Sequence, residues 1–310
     1  MKKPYLKKLL NKKKITIVIT DSGLGGISIL AGIEAKLKET RSFEEVNLIF
    51  FNALPEKGTG YNSMPSIEIK ADIFNEALLS MEEKFSPDLI LIACNTLSIV
   101  YPFTNFAKVS KTPVLGIVEF GVEMILSEMK KHSNGEIIIL GTQTTINSCT
   151  HRRMLVENGI SEDRIIPQAC PNLESEIQDS ARSASVKEMI SHYLTEAINR
   201  LNTNSTSIIT VLCCTHYEFA LPLFESTLKD LIDSETVILN PNEKMVSSIV
   251  WPENLNRFEE TKINVRIVSR ALIDNEEIES IGGLIISRAP LSSASLSNYE
   301  YNPELFAFSK

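Results

Sequence analysis

The sequence has no hydrophobic run long enough to cross a membrane. Its first apolar stretch, Ile15–Thr20, stops at Asp21, too short for a spanning helix or a signal-peptide core. No membrane partner is expected, and the cytoplasm is the default compartment. Disulfide chemistry is also poorly provided for. The 310 residues hold five cysteines, an odd number that fits a reducing compartment better than a bridged framework. No metal centre is expected, because adjacent Cys213 and Cys214 suit neither a normal bridge nor the usual CxxC zinc spacing. The nucleotide fingerprints are missing too. The segment Asp21-Ser22-Gly23-Leu24-Gly25-Gly26 lacks the later glycine of GxGxxG, and no Gly-Lys-Ser/Thr follows it. Nicotinamide and ATP therefore drop down the list of expected cofactors. A general basic surface is lacking as well. Residues 1–14 carry seven lysines and no acid, so removing those charges from the net −8 leaves −15 for the rest. An acidic body argues against a nucleic-acid partner, and the lysine-rich start reads as a solvated terminal arm.

What the sequence does contain is strand–helix alternation. Near-continuous Ile/Val/Leu runs at Ile15–Thr20, Val46–Phe51, Leu89–Ala93, Val114–Ile117, Ile137–Leu140, Ile208–Leu212 and Val237–Leu239 read as strands buried on both faces. Helical patterns occupy Gly26–Lys38, Ile67–Phe85, Gly121–Lys131, Ile146–Asn158, Val186–Leu201 and Phe219–Asp233. The alternation predicts an α/β protein with parallel sheets and helices on both sides. At 310 residues the chain exceeds what one core usually fills, which predicts two domains, or two lobes sharing a cleft. The Ser-rich stretch after Pro290 reads as an extension.

Four of the strands end in polar or small residues: Asp21-Ser22-Gly23, Cys94-Asn95-Thr96, Gly141-Thr142 and Cys213-Cys214-Thr215-His216. Ligands of open α/β sheets bind beyond the carboxyl ends of strands, so these ends predict one site assembled from distant segments. The segments LIACNT and VLCCTH, each running from apolar strand to cysteine to threonine, hint at a duplicated half-domain. Taken singly, each feature is ordinary. A cysteine at a strand end is usually a small buried hydrophobe, and a short glycine-rich turn is usually only a turn.

Together they form an ordered set: Asp21–Gly26, Cys94–Thr96, Glu119 within VLGIVEFG, Gly141–Thr145, Ala169–Pro171 and Cys214–Tyr217. This set resembles the glutamate racemase family, within the wider aspartate/glutamate racemase superfamily. The resemblance implies two similar, pseudo-symmetric, flavodoxin-like parallel-sheet lobes with the active site in the cleft between them. On that basis residues 15–116 and 238–310 would form the first lobe, and 117–237 the second, with 1–14 as the N-terminal arm. It further implies an isomerase that needs no cofactor, neither pyridoxal phosphate nor metal, commonly forms homodimers and takes a small amino acid. Cys94 would act on the D-enantiomer and Cys214 on the L-enantiomer, assisted by Asp21 and His216. Ser22, Asn95, Thr96, Thr145 and Thr215 match substrate-holding positions. Their hydroxyls and amide can orient a zwitterion without adding fixed charge. The product, D-glutamate, would serve peptidoglycan synthesis.

The sequence also departs from the family pattern. An Asp before a Pro-Tyr-Gly triplet is replaced by Asn52 and Gly60-Tyr61-Asn62, of which only Tyr61 is retained as a substrate contact. The spacing is longer, which implies an insertion. Cys213 stands where the family has Gly and is expected to point away from the site. Gln178 stands where a Glu supports the histidine, with Glu174 and Glu176 nearby. A racemase for aspartate or another amino acid is the alternative, although aspartate enzymes typically carry Glu where this chain has His216. A catalytically weakened amino-acid-binding homologue is the other.

Overall fold

The apolar runs pair as two wholly parallel sheets. The computed structural model describes residues 8–9, 11–132, 134–202 and 206–308. Residues 1–7 and 10, most of the lysine-rich arm, lie outside them. The first sheet contains β1 (Lys14–Asp21), β2 (Glu45–Asn52), β3 (Leu89–Ile92), β4 (Val114–Gly116), β9 (Lys262–Ser269) and β10 (Glu300–Tyr301), in the order β10-β9-β2-β1-β3-β4. The second contains β5 (Glu136–Gly141), β6 (Ile165–Ala169), β7 (Ser207–Cys213) and β8 (Glu235–Leu239), in the order β6-β5-β7-β8. Solid burial of β3, β5 and β7 matches their unbroken apolar sequences.

Strand order determines where a site can form. In the first sheet the chain goes from β1 out to β2, then returns to place β3 on the other side of β1. The second sheet repeats this, with β6 and β7 flanking β5. Each sheet therefore has a topological switch point, between β1 and β3 and between β5 and β7. The helices leaving the two strands diverge there and open a crevice. Asp21 and Cys94 stand at the first switch point, and Thr142 and Cys214 stand at the second. One buried apolar cluster includes Ile17 and Leu91 of the first sheet with Ile138 and Leu212 of the second, so the two sheets share a core.

Several expectations are corrected. The predicted strand at Val114–Ile117 ends at Gly116, because Ile117 opens a helix that runs to Met129. The predicted helix at Ile146–Asn158 is two helices, Gln143–Asn147 and Thr150–Glu157, broken by Cys149 in the left-handed region at φ 54°. The predicted helix at Phe219–Asp233 begins at Leu221, after a 3-10 turn over Thr215–Ala220. The C-terminal stretch is part of the fold and no mere extension. Pro290–Ser297 is a helix, β10 joins the sheet edge, and Leu305 and Phe306 are buried. Among the described residues no helix is long and apolar enough to cross a membrane.

Candidate active site

A cavity of about 420 Å³ opens at the two switch points. Every sequence-predicted site residue lines it: Asp21, Ser22, Tyr61, Cys94, Asn95 and Thr96 from the first sheet, and Thr145, Cys214, Thr215 and His216 from the second.

On the first side, Cys94 caps the helix Asn95–Val100, its Sγ accepting from the backbone N–H of Leu97 at 3.5 Å. The Ser22 hydroxyl lies 3.2 Å from the same sulfur. Burial pushes the Cys94 thiol up to about 12, and the nearby Asp21 carboxylate adds to the rise. On the other side, the Cys214 Sγ lies 3.7 Å from His216 Nδ1. Its thiol is likewise driven well above the ordinary range, first by burial and then by the charge of Glu174. Burial lowers His216, which favours a neutral imidazole. Burial thus favours the neutral thiol at both cysteines.

The two sides are tied together. Thr215 donates its hydroxyl to Asp21 Oδ2 at 2.7 Å, and Asn242 donates to both Ser28 Oγ and the Thr215 carbonyl. This close approach requires Gly25. A Cβ built there would stand 2.6 Å from His216 Nδ1 and 2.7 Å from its backbone nitrogen. The glycine-rich loop thus makes room for the second cysteine's turn. Two of its amides are already committed, since Ser22 N–H donates to Asp21 Oδ1 and Leu24 N–H to Gln178 Oε1.

The cavity wall supplies small polar groups. Thr96, Thr142 and Thr145 bring their hydroxyls within 3.1 to 3.5 Å of one another. Thr142, read in the sequence only as part of a polar strand end, joins the predicted Thr145 in this wall. Asn95 is buried with neither amide atom partnered, an arrangement that calls for a polar ligand.

The departures are also placed. Asn52 is structural, donating to Ser269 Oγ and accepting from Leu54 N–H. Tyr61 is buried with its hydroxyl committed to the Ala53 carbonyl. Asn62 crosses the cleft mouth to Glu174 Oε1 at 3.1 Å. The side chain of Cys213 is buried in the apolar cluster on the other face of β7. Glu119 lies on the surface of the helix Ile117–Met129, beside a separate pocket that also includes Phe120 and Trp251.

Residues 27–240 match the family described as Asp/Glu/Hydantoin racemase. The chain belongs to that family. It is similar to the glutamate racemase of Syntrophus aciditrophicus, with 29% identity over 237 residues, covering 75% of this chain and 77% of the relative. The glutamate racemase of Chlorobaculum tepidum is 25% identical, with 88% of each chain covered. Among solved structures, glutamate racemase isoform RacE1 from Bacillus anthracis shares the fold with a TM-score of 0.65. It is 20% identical and covers 94% of this chain and 97% of that one. The chain is accordingly an isomerase of the racemase type, and the two-sheet architecture agrees with that assignment.

Proposed function

We propose that this racemase interconverts L- and D-glutamate through its two cysteines, without a cofactor. The observation that carries the reading is the placement of Cys94 and Cys214 at the two switch points, lining one cavity whose wall is rich in hydroxyls. Racemisation must take the Cα proton from one face and return a proton to the other. One cysteine as thiolate accepts the Cα proton, and the opposed thiol donates its own. The cysteine pair ends with its protonation states exchanged. A bound ammonium group supplies the positive charge that favours a thiolate in a buried site. Asn95, Thr96, Thr142 and Thr145 are suited to hold the α-carboxylate, where preorganised hydrogen bonds stabilise the developing carbanion.

Glutamate is favoured by the relatives, both of which are glutamate racemases, and by His216, which stands where aspartate enzymes typically have Glu. The product would supply peptidoglycan synthesis in the cytoplasm. The test is Cα exchange in D2O, followed by NMR and circular dichroism, with L- and D-glutamate beside L- and D-aspartate. Exchange with inversion of glutamate is the expected result. Exchange of aspartate alone would reassign the substrate. Absence of exchange for all four with folded, reduced protein would refute the racemase reading for both acids.

A further inference from the structure

We infer that Gln178 and Glu277 form a positioning relay that fixes the tautomer of His216, and that Glu277 supplies from the C-terminal segment the carboxylate that position 178 lacks. The inference rests on the racemase reading for its catalytic meaning, but the geometry stands by itself. Gln178 Oε1 lies 2.9 Å from His216 Nε2 and also accepts from the backbone N–H of Leu24 at 3.1 Å. Gln178 Nε2 donates to Glu277 Oε1 at 2.6 Å. These contacts determine which way the amide points. Turned over, it would set its NH2 against the Leu24 N–H and its oxygen against a carboxylate. With Oε1 facing the imidazole, Nε2 must carry the hydrogen. Nδ1 then presents a lone pair toward the Cys214 thiol.

Glu277 is itself held. It is half-buried and belongs to a capping box at the start of the helix Asn275–Ile285. Its Oε2 accepts from the Asp274 backbone N–H at 2.8 Å, while Oε1 serves Gln178. Asp274 in turn is ion-paired with Lys57 from the loop after β2. Both Glu277 oxygens are therefore in use, and neither can be exchanged for an NH2 group without loss.

That occupancy gives an unusual test. Gln178→Glu alone sets two carboxylates face to face. Glu277→Gln alone forces an NH2 group against either the Gln178 amide or the Asp274 N–H. Combining Gln178→Glu with Glu277→Gln satisfies every contact again, with the direction of the amide–carboxylate hydrogen bond reversed. A double-mutant cycle on these two positions should show strong coupling.

The primary readout is the tautomer of His216 by 15N NMR without substrate, its signal assigned as the one of four histidines lost in His216→Asn. The expected result is an Nε2–H imidazole in the native protein. A mixed population is expected in Gln178→Leu, with kcat for the L-enantiomer reduced by about ten- to hundredfold. The paired exchange should recover both. It should also raise the pH at which His216 titrates, because a carboxylate then touches the ring directly beside the existing charges of Asp21 and Glu174. An Nδ1–H imidazole in the native protein would overturn the relay. So would an unchanged tautomer and kcat in Gln178→Leu, or two single variants as active as the pair. The tautomer is read without turnover, so a failed relay in an active racemase and an intact relay in an inactive protein are separate results.

Discussion

At the scale of single residues, Cys94 and Cys214 combine two properties that work against each other. Burial favours the neutral thiol in both, yet one must ionise to take a Cα proton. Substitution Cys94→Ala or Cys214→Ala should each lower racemisation about a thousandfold or more, measured by circular dichroism from both enantiomers. His216→Asn should depress kcat more from L to D than from D to L. The enantiomers have equal free energy, so kcat/KM stays equal in the two directions and KM must compensate. Equal loss of kcat both ways would detach His216 from Cys214. The raised thiols also set a pH dependence. Below the ordinary value of 9.0 the Cys94 proton is kept in both folded and unfolded chains. Between 9.0 and about 12 the unfolded chain loses it while the folded chain does not, so stability should fall with rising pH across that window. Urea unfolding at stepped pH would measure this, and Cys94→Ala should flatten the slope.

At the scale of elements, two packing devices hold the strand ends in place. One is the glycine-rich turn. Gly25→Ala would drive a methyl group into Thr215 and His216, and should cost activity well before it costs secondary structure. The other is Glu34, fully buried on the helix Ile27–Thr40. Its carboxylate accepts from the Leu291 and Ser292 amides and from the Ser292 hydroxyl, capping the helix Pro290–Ser297 from outside. Glu34→Ala would leave the Leu291 and Ser292 amides and the buried Ser292 hydroxyl without this acceptor and should destabilise the protein by roughly 2–4 kcal/mol, read by chemical denaturation. An unchanged midpoint would show that the C-terminal helix does not depend on this cap.

At the scale of the whole molecule, the site exists only because two sheets meet. Their shared apolar cluster keeps Asp21 within 2.7 Å of the Thr215 hydroxyl, across nearly two hundred residues of chain. A ligand that touches both sides should stabilise the folded protein by linkage, about 2.7 kcal/mol at a hundredfold excess over Kd. It should also protect Cys94 and Cys214 from alkylation and leave the exposed Cys149 reactive. Mass mapping of labelled peptides, with and without glutamate, separates the three. Equal labelling of all three under both conditions would argue against glutamate occupying the cleft.

Much of this could be read in the sequence because buried parallel strands are unbroken apolar runs, and site motifs sit where such runs stop. β1, β3, β5 and β7 with their polar ends were legible for that reason. β9 was not, because its sequence KINVRIVS interleaves polar residues with apolar ones near the sheet edge. Nor was β6, where Pro167 and Gln168 interrupt a short run. By itself, then, the sequence determined the α/β class, the four chemical strand ends and the cysteine pair, all of which are local patterns. Only the tertiary structure decided that Gln178 meets Glu277, that the Tyr61 hydroxyl is committed to the Ala53 carbonyl and that Asn52 serves as a strut. Those facts depend on which side chains come within hydrogen-bonding distance once distant segments pack, and no local pattern encodes that distance.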